Sequence, residues 1–328
     1  MITIKIDTKK QFIELRNNVN FSVTLSALGA SIYSIYIGND IMTLTPKNYD
    51  DFANKNLYYG KTIGPMCARA LNGKYLINNK EYFLKTNRGD ICLHSGPDGY
   101  SNQLFKYQIE NQKNYAKVQF SLQIPDMLIG FPGNSTLNVT YIIKDNSYDL
   151  EVLTSFICDK DTLLSLTNHT YFNLNEKHIE NLTLFINATE HVPFDKKTLL
   201  PLQKNEKVDD ITSFKNEKNI FKDLKDDSIF LDSRKGYDHN YVLDEISFSK
   251  PSVVLTGSKY KMEIFTDYSG IQIYTCNYDD NIEYLNNVSG LYRGIAIEPQ
   301  EPVNNISILR ANKKLENRSI YRFSTLKK

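Results

Sequence analysis

Five short segments concentrate side chains that can move protons or hold hydroxyl groups, inside stretches that otherwise read as strands: Ala68-Arg69, Leu93-His94-Ser95-Gly96, Thr167-Asn168-His169-Thr170-Tyr171-Phe172, Tyr237-Asp238-His239-Asn240 and Ile297-Glu298-Pro299-Gln300. Such breaks in local pattern are where functional sites are expected. His169 follows the apolar run Leu163-Leu164-Ser165-Leu166, which places it at or just past a strand end. An imidazole there titrates near neutrality, so it can donate a proton and take one back. Glu298 ends the apolar strand Gly294-Ile295-Ala296-Ile297, and Pro299 holds it in extended backbone. A carboxylate fixed in that way is a candidate base. Taken singly, each residue also has a plain reading: His169 as a hydrogen-bonded structural histidine, and Glu298, Asp238 and His94 as ordinary polar groups.

Other chemistries lack the spacing they require. His94, His169, His239 and the neighbouring acids form neither HExxH nor another spacing with a mechanical reason to hold a metal, so no metal is expected. No G-x-G-x-x-G follows a strand and no G-x-x-x-x-G-K-[ST] occurs, which argues against a nucleotide cofactor. Cys67, Cys92, Cys158 and Cys276 lie far apart without a CxxC pair and read as buried reduced thiols.

The elements that must position these residues are strands. Period-two alternation recurs along the chain, as in Thr136-Leu-Asn-Val-Thr-Tyr-Ile-Ile, Tyr148-Asp-Leu-Glu-Val-Leu-Thr-Ser-Phe and Lys261-Met-Glu-Ile-Phe-Thr. Turn signals such as Asn72-Gly-Lys, Asn78-Asn-Lys, Phe131-Pro-Gly-Asn and Asp145-Asn-Ser punctuate it at short intervals, the rhythm of antiparallel meanders rather than of βαβ crossovers. The expectation is an all-β sandwich in one domain over residues 1–328, since no repeat, linker or shift in composition marks a boundary. The charged, aperiodic stretch from Lys204 to Asp232 reads as solvated loops and short helical turns.

Composition agrees with a neutral small-molecule substrate. Lys plus Arg number 39 against 38 for Asp plus Glu, so no field favours nucleic acid or an anionic membrane. The opening residues MITIKIDTKKQFIEL lack the apolar core of a secretory signal, and no long apolar run could span a bilayer. A soluble cytoplasmic protein, monomeric or homodimeric, is expected.

Together the segments resemble the galactose mutarotase (aldose 1-epimerase) family, in that family's order and approximate spacing. Leu166-Thr167-Asn168-His169-Thr170-Tyr171-Phe172-Asn173-Leu174 is similar to its L-T-N-H-x-Y-F-N-L, Tyr237-Asp238-His239-Asn240-Tyr241 to its YDHN-[FY], and Ile297-Glu298-Pro299-Gln300 to its LEPQ. Leu93-His94-Ser95-Gly96 stands for LHGG, Gly130-Phe131-Pro132-Gly133 for G-[FY]-PG, and Gly270-Ile271-Gln272-Ile273-Tyr274-Thr275 for G-x-Q-x-YT. The resemblance spans roughly residues 55 to 305.

It implies a large antiparallel β-sandwich of the galactose mutarotase type, with a sugar cleft on a concave face and no cofactor. It also implies that His169 is the catalytic acid and Glu298 the base, with Arg69, His94, Asp238 and Gln272 as sugar-binding groups. The expected reaction interconverts the α and β anomers of a free hexose such as galactose or glucose, with Glu298 ionised and His169 protonated at the start. A non-catalytic sugar-binding protein, or an epimerase-like enzyme acting on another or phosphorylated sugar, is the alternative. With no Trp in the chain, the aromatic platform for the sugar falls to a Tyr or Phe, with Tyr274 or Phe172 in view. Two positions depart from the family pattern: Ala68 replaces the usual Asn before the arginine, and Ser95 replaces a glycine.

Overall fold

The computed structural model describes residues 2–195, 197–198, 200–224 and 235–326. Two antiparallel sheets carry the architecture. The larger has nine strands, in the spatial order Lys106–Asn111, Tyr115–Ile124, Ser135–Lys144, Asp149–Cys158, Lys314–Thr325, Tyr260–Thr266, Val253–Thr256, Thr183–Ile186 and Lys218–Asn219. The second has six, in the order Tyr171–Phe172, Ile295–Gln300, Gly270–Tyr274, Asp238–Leu243, Ala188–Val192 and Glu206–Lys207. A five-stranded meander over the first 41 residues adds a further sheet. The alternating segments read from sequence are long strands of the larger sheet, whose inward residues Leu137, Val139, Tyr141, Leu150 and Met262 join one core with Ile271, Ile273, Ile295 and Ile297 of the second. One face of each sheet is thus apolar, the requirement for a sandwich.

The turns follow from local chemistry. Asn78 and Asn79 join the Lys74–Ile77 and Lys80–Phe83 strands as a two-residue loop with both residues at positive φ, the conformation that matches the twist of a hairpin and that asparagine tolerates.

The stretch from Lys204 differs from its sequence reading. It contributes the Glu206–Lys207 strand to one sheet and Lys218–Asn219 to the other, and Phe214 and Ile220 are wholly buried. Dense charge masked two apolar anchors that pull the segment onto the sandwich. Residues 225–232 of that stretch lie outside the described residues. Among the described residues, no helix is long and apolar enough to cross a membrane, and all four cysteines are buried and unpaired.

Candidate active site

The Asp238–Leu243, Gly270–Tyr274 and Ile295–Gln300 strands are neighbours, with Asp238 opposite Tyr274 and Gln272 opposite Glu298. Alternation therefore sends Asp238, Gln272, Tyr274, Glu298 and Gln300 to one face, where all line a cleft of about 660 Å³. The intervening Ile271, Ile273 and Ile297 fall to the core face and are wholly buried. Glu298 lies inside its strand rather than at the tip, and Pro299 is accommodated because the neighbouring Tyr171–Phe172 strand pairs with Ile295 and Ala296 and the backbone contact on that edge runs only as far as the Ile297 N–H, which donates to the Thr170 carbonyl.

His169 sits between two short strands, Thr167–Asn168 and Tyr171–Phe172. Its N–H donates to the Lys61 carbonyl and its own carbonyl accepts from the Gly60 N–H, both at 2.9 Å, so the segment 58–61 holds its backbone from both sides. The ring is fixed by aromatic neighbours: Tyr58 stacks on it with centroids 5.8 Å apart, Tyr171 lies at 4.9 Å and His94 meets it edge-on at 5.4 Å. Nε2 is 3.4 Å from Glu298 Oε1, and the two residues are only 5% and 1% exposed. His169 Nδ1 and Glu298 Oε2 are buried without a hydrogen-bond partner in the protein, as is His94 Nδ1. Unsatisfied polar atoms gathered along a cleft are the mark of a site that a polar ligand completes.

Beside the pair, Asp238 accepts from Arg69 Nη2 at 3.0 Å and from Gln272 Nε2 at 2.8 Å. The Arg69–Leu71 and Ile91–Leu93 strands pair with Arg69 opposite Leu93, which delivers His94 next to the arginine, and Phe194 lies under the guanidinium. His239 alternates to the other side of its strand, where its Nδ1 accepts the Asp238 N–H at 3.2 Å and its ring meets that of His191.

Burial governs the charge states. It pushes the Glu298 carboxyl well above the ordinary carboxylate range, with the Asp238 charge adding to the effect and Arg69 opposing it. It lowers His169 to about 4, against the opposing effects of a backbone hydrogen bond and Asp238. His94 is also held well below its ordinary value by burial, then by His169 and Arg69. Burial therefore favours a neutral acid beside a neutral imidazole over the ion pair expected from sequence, since the loss of hydration outweighs the compensating charges of Arg69 and Asp238.

The Ser95 departure has a local account. Ser95 has φ 65° and ψ 14°, in the left-handed region that glycine occupies without cost. Its hydroxyl offsets the strain by accepting from the Met66 N–H at 2.8 Å and donating to the Met66 carbonyl at 3.1 Å. Ser95→Ala keeps the strain and strands two buried groups, so it is expected to lower unfolding stability by about 1–3 kcal/mol. Ser95→Gly trades bonds for relief and should cost less. A denaturant midpoint for Ser95→Ala level with wild type would remove the hydroxyl's contribution, and one level with Ser95→Gly would remove the strain.

The structure thus brings His169, Glu298, Arg69, His94, Asp238 and Gln272 to one cleft, with Ala68 in its lining. Of the two aromatic candidates, Tyr274 lines the cleft. Phe172 does not: it is wholly buried and stacks on Tyr321 at 5.7 Å, since the residue after a cleft-facing Tyr171 must point to the core. Tyr58 and Tyr171 were not singled out as site residues from sequence, although both flank the histidine. Among the described residues no group of three or more His, Cys, Asp or Glu is arranged to hold a metal.

Comparison with known proteins accords with this geometry. The family model described as aldose 1-epimerase matches residues 11–322. The aldose 1-epimerase of Haemophilus influenzae is 31% identical over 303 residues, covering 88% of this chain and 86% of that protein. The galactose mutarotase of Rattus norvegicus is 31% identical over 238 residues, 70% of this chain and 66% of its own. A crystal structure described as galactose 1-epimerase from Lactobacillus acidophilus superimposes with a TM-score of 0.87 at 26% identity, covering 99% of this chain and 98% of that one.

Proposed function

The chain belongs to the aldose 1-epimerase family, and on that footing we propose that it interconverts the α and β anomers of a free hexose, galactose or glucose, with Glu298 as base and His169 as acid. The observation that carries the reading is the pair itself: a carboxyl and an imidazole 3.4 Å apart, both buried, each with one unpartnered polar atom, in a cleft that also holds Arg69, His94, Asp238 and Gln272.

Ring opening needs a proton removed from the C1 hydroxyl and another delivered to the ring oxygen. Ionised Glu298 takes the first and the His169 imidazolium gives the second; the bond from C1 to the ring oxygen breaks and a C1 carbonyl forms. This step leaves Glu298 protonated and His169 neutral, the charge state that burial favours. Desolvation thus favours the ring-opened state, and the ion pair needed at the start is reached from the resting pair by one proton transfer across the 3.4 Å contact. After half a turn about the C1–C2 bond, the freed hydroxyl attacks the other carbonyl face. His169 takes its proton, Glu298 returns the other to the carbonyl oxygen, and the enzyme is restored. Atoms and charge balance without a metal or nucleotide.

Asp238 supplies an acceptor, and Arg69, His94 and Gln272 supply donors, for the remaining hydroxyls. The reading is completed by a cytoplasmic setting and a single domain over residues 1–328. Fresh α-galactose and α-glucose followed by polarimetry test it, using protein dialysed against EDTA. Faster decay of optical rotation than in protein-free buffer, for at least one sugar, is the expected result. No acceleration with either sugar, or activity abolished by EDTA and restored by zinc, would overturn it.

A further inference from the structure

Arg293, the largest wholly buried side chain among the described residues, lies at one wall of the cleft and takes no part in the chemistry above. Its Nη1 donates to the carbonyls of Tyr278 at 3.1 Å and Gly290 at 2.5 Å. Its Nη2 is 2.7 Å from Asp280 Oδ1 and donates to the Tyr59 hydroxyl at 3.4 Å, and the guanidinium lies over the Tyr284 ring at 5.0 Å. The other Asp280 oxygen accepts from the hydroxyls of Tyr59 and Tyr284. Burying an ion pair gains little net stability over apolar packing of the same volume, so such a cluster does not explain itself as ballast for the core.

What it joins gives it a role. Residues 275–294 connect the Gly270–Tyr274 strand to the strand that carries Glu298, and the cluster ties this connection to Tyr59. Tyr59 belongs to the segment 58–61 that hydrogen-bonds the His169 backbone on both sides, and its ring lies 4.8 Å from that of Tyr171, which in turn packs on the His169 ring. One end of the cluster is therefore anchored to the base and the other to the acid.

We infer that the Arg293–Asp280–Tyr59 cluster is a positioning device that holds His169 and Glu298 at their working separation. This rests on those two residues being the acid and base. Of the sugar-holding groups, Arg69, His94 and Asp238 hang from other strands, and Gln272, although on the Gly270–Tyr274 strand, is held by ladder partners Asn240 and Glu298 on either side, so disturbing the cluster reaches the chemical step before it reaches binding.

The test is Tyr59→Phe, which removes one oxygen and keeps the ring, with Asp280→Asn beside it. Each is expected to lower kcat by roughly 10–100-fold, the scale of a sub-ångström to ångström misplacement, while KM stays near the wild-type value. The pH profile of kcat/KM should also narrow from both sides, because a loosened wall admits water and returns both groups toward their ordinary values. The groups facing the pair, Asp238, Arg69, His94, Tyr58 and Tyr171, are unchanged in these variants. A role confined to stability would lower Tm and leave kcat and the pH limits of the folded protein as they were, and that result overturns the proposal. Tyr59→Phe decides the matter even where Asp280→Asn fails to fold. Should Glu298→Gln retain full turnover, the acid–base assignment falls and the inference with it; an inactive Glu298→Gln beside a normal Tyr59→Phe sinks the positioning role alone.

Discussion

Glu298→Gln is expected to lower kcat for anomer interconversion by roughly 10²–10⁴, and His169→Asn by a similar factor, the usual contribution of a positioned acid or base. The two substitutions test the site differently. Glu298 is protonated at rest because burial raises its carboxyl, so a neutral amide of the same shape replaces a neutral acid and the fold should hardly register the change. A large loss of turnover with an unchanged unfolding midpoint is thus a catalytic effect. His169→Asn also removes a ring packed against Tyr58 and Tyr171, so some loss of stability accompanies the loss of activity. Proton removal and proton delivery are halves of one step, and the double variant should fall little below either single one. Initial rates of rotation change at saturating galactose check all three, and near-wild-type turnover in either single variant removes that residue from the mechanism.

Activity should persist across a wide pH range, with limits assigned in the reverse of the ordinary order. The working pair carries one proton, whether shared as the ion pair or as the neutral acid and imidazole, and these two forms are indistinguishable by proton count. Acid inactivation requires a second proton, which goes to the imidazole; since burial lowers His169 to about 4, kcat/KM should fall tenfold per unit only below about that pH. Alkaline inactivation requires loss of the only proton, which Glu298 holds at pH values well above the ordinary carboxylate range. With unperturbed groups the singly protonated pair would exist mainly between 4.5 and 6.5. A narrow optimum confined to that window contradicts the burial argument, whereas full activity at pH 5 and beyond 6.5, with the His169 ring signal titrating on the acid limb, supports it.

The strands were legible because their physics is written at single-residue resolution: an alternating run such as Thr136 to Ile143 can bury one face in only one way. The same rule, applied one residue further, places Tyr171 in the cleft and so removes Phe172 from it, which the motif alone did not reveal. The site residues were legible as types in order, while their convergence was not: His169 meets Glu298 through the pairing of the Tyr171–Phe172 and Ile295–Gln300 strands, and Arg69, on a separate two-stranded sheet, joins them through its ion pair with Asp238. The charge states could not be read at all. They depend on the near-complete burial of Glu298 and His169, a property of the assembled sandwich rather than of either segment. Arg293 was invisible for the same reason: between Tyr292 and Gly294 an arginine reads as surface, and only the fold turns it inward to meet Asp280.

Opening and reclosing a hexose ring through Glu298 and His169, as proposed, must exchange the two anomers even at equilibrium. Exchange NMR on an equilibrated mixture of α- and β-galactose measures that interconversion without any net change, comparing metal-stripped wild-type protein with the Glu298→Gln/His169→Asn double variant. Cross-peaks between the two anomeric protons should grow at a rate proportional to wild-type enzyme and stay at the protein-free level with the double variant. Exchange that is as fast with the double variant as with the wild type would contradict the account.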